Sequence, residues 1–177
     1  MSAIYVCSLD KLAKTALESS ASHVATLINA DTNVPRPETV SADNHLFLGF
    51  NDIVEPTEGL LPPGEIHVRH FMDFVNSWDQ AAPIIVHCWA GVSRSTAGAM
   101  IATCMLRPEL DEELVARTIR QRSPEATPNI RLVEFADALL DRKGRMVKAV
   151  RGIGRGAHCF EGSVFSLNMV GDADGAL

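Results

Sequence analysis

The stretch from Ala81 to Leu106 limits what this chain can fold into more than any other. Ala81-Ala82-Pro83-Ile84-Ile85-Val86 is short, apolar and β-branched, the pattern of a buried strand. Thr96 to Leu106 is apolar on nearly every side and stops before Pro108, the pattern of a buried helix. Between them lies His87-Cys88-Trp89-Ala90-Gly91-Val92-Ser93-Arg94-Ser95. A cysteine therefore stands at the end of a strand, a tight loop follows, and an arginine and a serine open a helix.

Such a loop is suited to an oxyanion. Successive backbone N–H groups in a tight turn form a concave nest. The helix behind it adds its unpaired first-turn N–H groups and the positive end of its dipole. Gly91 lets the backbone turn where a side chain would obstruct it. Arg94 can fork two hydrogen bonds onto two phosphoryl oxygens, which a lysine could not do in the same way. The same field favours the thiolate of Cys88, the nucleophilic form.

The pattern His-Cys-x5-Arg-Ser, with Gly91 inside it, resembles the signature loop of the cysteine-dependent protein tyrosine phosphatases, in particular the small dual-specificity-like group. The resemblance covers the chain to about Arg142 and implies an α/β fold: a central, mainly parallel sheet of four or five strands flanked by helices. It implies hydrolysis of phosphate monoesters through a phosphocysteine intermediate, with Cys88 as nucleophile. The amides of Trp89, Ala90, Gly91, Val92, Ser93 and Arg94, with the Arg94 guanidinium, would cradle the equatorial oxygens. Ser95 would donate to the departing sulfur by the same resemblance, while also suiting a plain helix cap. His87 would orient the loop. Asn129 and Ser123 fall where the family often has a polar residue bracing it.

The leaving oxygen needs a proton, and the donor must be a carboxyl on a nearby loop. Asp52 is the leading candidate. It follows an apolar run, His45-Leu46-Phe47-Leu48-Gly49-Phe50, and begins a Pro/Gly-rich loop. Its spacing from Cys88 is close to that of the acid aspartate in the dual-specificity-like group. Glu55 and Glu58 share that loop and are alternates. Asp43 precedes the strand and should lie at the other end of the sheet, and Asp73 falls inside an amphipathic helix. The loop interior Trp89, Ala90, Val92 and Ser93 carries no charge. Lipid and inositol phosphatases of the superfamily usually add lysines there, so the uncharged loop favours protein substrates. Trp89 can form an apolar wall for an aromatic leaving group, which suits phosphotyrosine.

The rest of the sequence agrees with one such domain. Its 177 residues can bury a sizeable core. The net charge of −6 argues against nucleic acid as a partner. No apolar run approaches the roughly 18 residues that span a bilayer. Cys7, Cys88, Cys104 and Cys159 form no CxxC pair and read as reduced thiols of a cytoplasmic protein. His67 and His70 stand one helical turn apart, but no third ligand accompanies them, so neither a metal nor a cofactor is expected. The expected partner is a phosphorylated protein or a small phosphoester.

Hydrophobic spacing places strands at Ile4–Leu9, Ser22–Asn29, His45–Phe50 and Pro83–Val86, with helices at Asp10–Ser20, Glu65–Trp78, Glu109–Arg122 and Ile130–Arg142. Ile66, Phe71, Phe74, Val75 and Trp78 share one stripe of the second of these helices. Strands alternating with helices point to a parallel α/β sheet. The phosphatase domain is assigned to residues 1–143. Residues 144–177 read as a basic, glycine-broken arm packed on the same domain, and His158-Cys159 as a packing pair within it. Other uses of such a loop are a rhodanese-like sulfurtransferase, a small-molecule or phosphoinositide phosphatase, or a non-catalytic phosphopeptide-binding module.

Overall fold

The computed structural model describes residues 2–169. Its sheet has the strand order β3-β2-β4-β1-β5, built from β1 (Ala3–Ser8), β2 (His23–Ile28), β3 (His45–Gly49), β4 (Ile84–Cys88) and β5 (Phe165–Asn168). The first four run parallel, and β5 pairs antiparallel with β1. β2 and β4 are buried at every residue, as a parallel strand covered on both faces must be.

Alternation sorts the strand residues onto two faces. Ile4, Val6, Ala25, Leu27, Ile84 and Val86 meet the larger apolar cluster. That cluster is roofed by α2 (Glu65–Ser77), α3 (Arg94–Leu106), α4 (Glu112–Arg122), α5 (Ile130–Leu139) and α6 (Arg145–Ile153). Cys7, Val24 and Ile85 face the smaller one, closed by Leu12 and Ala16 of α1 (Leu12–Ser19). Helix α3 is buried from Arg94 to Cys104. Its small residues let it lie close on the sheet: a Cβ at Gly98 would stand 2.8 Å from Val86 Cγ1.

Several boundaries differ from those the sequence predicts, each for a local reason. α4 begins at Glu112, because the Asp111 side chain accepts the Leu114 N–H and caps it. α5 stops at Leu139. The carboxylate of Asp137 then accepts the N–H groups of Gly144 and Met146, turning the chain into α6. Ile66 projects outward and is 55% exposed, while Val68 takes the inward position on α2.

The largest difference lies after Arg142. α6 buries Met146, Ala149 and Val150, and β5 completes the sheet. The glycines and cationic residues of this region obscure a short alternation, Phe165, Leu167 and Met169, whose side chains are all buried. His158 and Cys159 are exposed rather than a packing pair. Residues 170–177 of the expected arm lie outside the described residues. Among the described residues no helix is long and apolar enough to cross a membrane.

Candidate active site

The site sits along the carboxyl edge of the parallel strands, where open α/β sheets gather their ligand-binding loops. Four chain segments arrive there: Cys88 from β4, Leu9 from β1, Asn29 from β2, and Phe50 to Asp52 from β3. This explains why residues far apart in sequence meet.

Trp89 to Ser93 connect β4 to α3. The outward carbonyls of this loop are taken by donors from separate parts of the chain. Trp89 O accepts from Leu9 N (3.1 Å), Ala90 O from Gly162 N (2.8 Å), Val92 O from Thr127 N (2.9 Å) and Ser93 O from Asn129 N (3.2 Å). With these four carbonyls held by donors from elsewhere, the course of the loop is fixed at both ends, as an anion nest requires. Gly91 carries φ of 74°, and a Cβ there would lie 2.9 Å from Cys7 C and Ser8 N. Glycine is needed both for the turn and for this contact.

Cys88 is 2% exposed, and its Sγ lies 3.2 Å from Ser95 Oγ in the first turn of α3. Cys7 and Cys104 are buried without such surroundings, and burial pushes both thiols up to about 12. Cys88 is the cysteine that opens the loop and stands against the first turn of α3.

Arg94 is 3% exposed. Its Nη1 donates to Asn29 Oδ1 (2.9 Å) and to Phe50 O (2.7 Å), both uncharged acceptors. Its Nε is buried and makes no hydrogen bond among the described residues. Asp52 Oδ2 stands 3.8 Å from that nitrogen. A buried guanidinium N–H without an acceptor is costly, and an oxyanion in the loop would relieve it. Asn29 has no motif to announce it. Its only sequence signal is its place directly after β2, at the same sheet edge as Cys88.

Asp52 is brought to the loop from β3. Its Oδ1 accepts from Ser93 Oγ (2.8 Å) and from Asn129 Nδ2 (2.8 Å). Asn129 does two jobs, since its Oδ1 also accepts the Arg131 and Leu132 N–H groups and caps α5. Ser123 is buried, but its hydroxyl bonds Glu125 rather than the loop. Glu55 and Glu58 are exposed farther along, Asp43 lies in a turn at the opposite edge, and Asp73 is exposed on α2. His67 Nδ1 accepts the Gly64 N–H and closes the start of α2, and His70 is exposed. The Asn51–Gly64 loop is tied at its base, where Leu61 N donates to Asn51 Oδ1 (2.9 Å) and Asn51 N to Leu61 O (2.7 Å).

The double role of Asn129 is testable. Asn129→Ala should lose the cap, about 1 kcal/mol of stability, and release Asp52. Asn129→Asp should keep the cap while setting a like charge against Asp52. Thermal denaturation of the two variants beside wild type should therefore show the larger loss of cap stability in the alanine variant. Any hydrolysis of a phosphate monoester by the chain should fall in both.

A hollow of about 870 Å³ opens beside Asp52, Ser93 and Asn129. It runs to Arg151, Arg155 and His158. Trp89 stands on the rim of the loop, 53% exposed.

Fold and candidate site together describe an α/β protein with a buried cysteine opening a loop at its sheet edge. A family model described as protein-tyrosine phosphatase matches residues 57–137, which include that loop. The human protein named dual specificity protein phosphatase 16 is 27% identical over 136 residues. The match covers 76% of this chain but only 19% of that protein's length. Among solved structures, human DUSP28 superposes with a TM-score of 0.60 at 15% identity, covering 78% of this chain and 94% of the other. PTP-2 phosphatase of Cydia pomonella does so with 0.59 at 18% identity, covering 76% and 84%. PTPMT1, solved in complex with PI(5)P, gives 0.56 at 14% identity, covering 79% and 94%. These structural likenesses show the shared fold. In sequence over residues 57–137, and in fold, the chain is thus similar to the cysteine-dependent protein tyrosine phosphatases.

Proposed function

We propose that this chain is a protein phosphatase that acts on phosphotyrosine through a phosphocysteine intermediate. The observation that carries the reading is the meeting of Arg94, at the end of the loop that Cys88 opens, with a carboxylate brought in from beyond β3, Asp52, which is held by Ser93 and Asn129. A sulfurtransferase has no use for that separate acid.

The phosphoryl group sits in the loop, with its oxygens on the amides and on Arg94. The Cys88 thiolate attacks phosphorus, so a P–S bond forms as the ester P–O bond breaks. Asp52 in its acid form gives its proton to the departing oxygen. As carboxylate it then takes a proton from a water molecule that attacks the phosphocysteine. The P–S bond breaks, inorganic phosphate forms, and the Ser95 hydroxyl donates to the sulfur as it leaves as thiolate.

Two features support a polypeptide over a lipid. The loop carries no lysine. The hollow beside it is walled by residues of mixed character, Val54 and Ile130 as well as Glu55, Arg151 and Arg155. A panel of p-nitrophenyl phosphate, phosphotyrosine, phosphoserine and phosphothreonine peptides and PI(5)P in vesicles tests the reading. Phosphate release should be fastest from the phosphotyrosine peptide. Preference for PI(5)P would overturn the substrate class. Sulfur transfer from thiosulfate to cyanide without phosphate release, or tight phosphopeptide binding without turnover, would overturn the activity.

A further inference from the structure

His87 lies at the register position opposite Thr26 on β2, and His45 on β3 pairs with Val24 two residues earlier. All three side chains belong to the α1 face of the sheet, away from Cys88. Thr26 Oγ1 lies 2.7 Å from His87 Nε2 and 2.8 Å from His45 Nε2. On the other side of the His87 ring, Nδ1 lies 3.4 Å from Cys88 O. A continuous chain of contacts thus crosses three strands and ends on the first carbonyl of the phosphate loop. We propose that Thr26 and His45 are positioning residues, which fix the tautomer of His87 and through it the backbone of Cys88. This rests on the reading of that loop as catalytic.

Proton accounting gives the chain one direction. A carbonyl oxygen can only accept, so His87 Nδ1 carries the hydrogen. His87 is fully buried, and that burial, reinforced by neighbouring His45 and Arg94, holds its pKa down at about 4. The ring is therefore neutral, and Nε2 is a lone-pair acceptor. The Thr26 hydroxyl must donate to it. That hydroxyl has one hydrogen, so its second contact must be a donor: His45 Nε2–H gives to Thr26 Oγ1. Thr26 is fully buried and His45 is half-buried, with its pKa held below the usual value by burial and then by Arg36.

Without the Thr26 hydroxyl, only the long contact to the Cys88 carbonyl, 3.4 Å, would favour the Nδ1–H form of His87. The alternative tautomer sets a ring lone pair against the Cys88 carbonyl. The loop would then shift at the residue that bears the sulfur.

The test joins 15N NMR of the histidine rings to the alkylation rate of Cys88 by iodoacetamide across pH. In wild type His87 should be protonated at Nδ1 alone at neutral pH. Thr26→Val, which keeps the shape, should populate both tautomers and move the alkylation profile. If the chain turns over, kcat should fall about 10–100-fold with little change in KM, as when the outer partner of a functional histidine is lost. Thr26→Ser should restore both readouts, and so guards against a folding defect. His45→Gln, whose amide can still donate to Thr26, should resemble wild type, whereas His45→Leu should resemble Thr26→Val. A wild-type His87 protonated at Nε2, or a Thr26→Val protein with unchanged tautomer and alkylation, would overturn the inference. Neither primary readout needs turnover, so failure to release phosphate would count against the proposed function alone.

Discussion

Cys88→Ser should release no phosphate above background, a loss of about 10⁴-fold or more, because the nucleophile, base-assisted or not, is the centre of a unit whose members fail together. The substitution exchanges sulfur for oxygen inside a site that is 2% exposed and leaves the loop carbonyls on their partners. A serine hydroxyl at this place has no adjacent base: the nearest hydroxyl, Ser95 Oγ, is itself a donor. Oxyanion binding should survive, since it rests on main-chain amides and on Arg94. A phosphotyrosine peptide should therefore bind the serine variant with near wild-type affinity in a calorimetric titration. Binding lost along with turnover would mean that the loop had collapsed. Turnover retained would move the nucleophile away from Cys88.

The second large effect falls on Asp52. Asp52→Asn removes an acid while keeping shape and the two donors at Oδ1, Ser93 and Asn129. General acid catalysis is worth about 10²–10⁴-fold, and the loss should scale with how badly the leaving oxygen needs a proton. Phenyl phosphate should suffer most, p-nitrophenyl phosphate less. A variant that slows both esters equally would place Asp52 in ground-state binding. One that slows neither would hand the role to Glu55 or Glu58.

The strand–loop–helix unit of the candidate site could be read from residues because its three parts are contiguous, from Ile84 to Leu106. The parallel sheet could be read because its strands are short runs rich in apolar and β-branched residues. Asp52 was accessible through its position after β3. Other features leave no such trace. Asn29 serves Arg94 only because two strands end side by side, a fact of topology. The anchored carbonyls are backbone groups, which no side-chain pattern encodes. The contribution of α6 and β5 is masked by glycines and cations, since a strand of four residues offers too little alternation to stand out. The histidine–threonine chain depends on register, which a one-residue slip would reverse.

The bond from Gly162 to Ala90 has a consequence for biosynthesis. The oxyanion cup is clasped by Leu9 near one end of the described chain and by Gly162 near the other. A nascent polypeptide still holding Gly162 inside the ribosome cannot close it. The sulfur at position 88 emerges early, but the loop that follows it gains its last backbone clasp only when the residue-162 segment has docked, so the cup closes after nearly the whole described chain is in place.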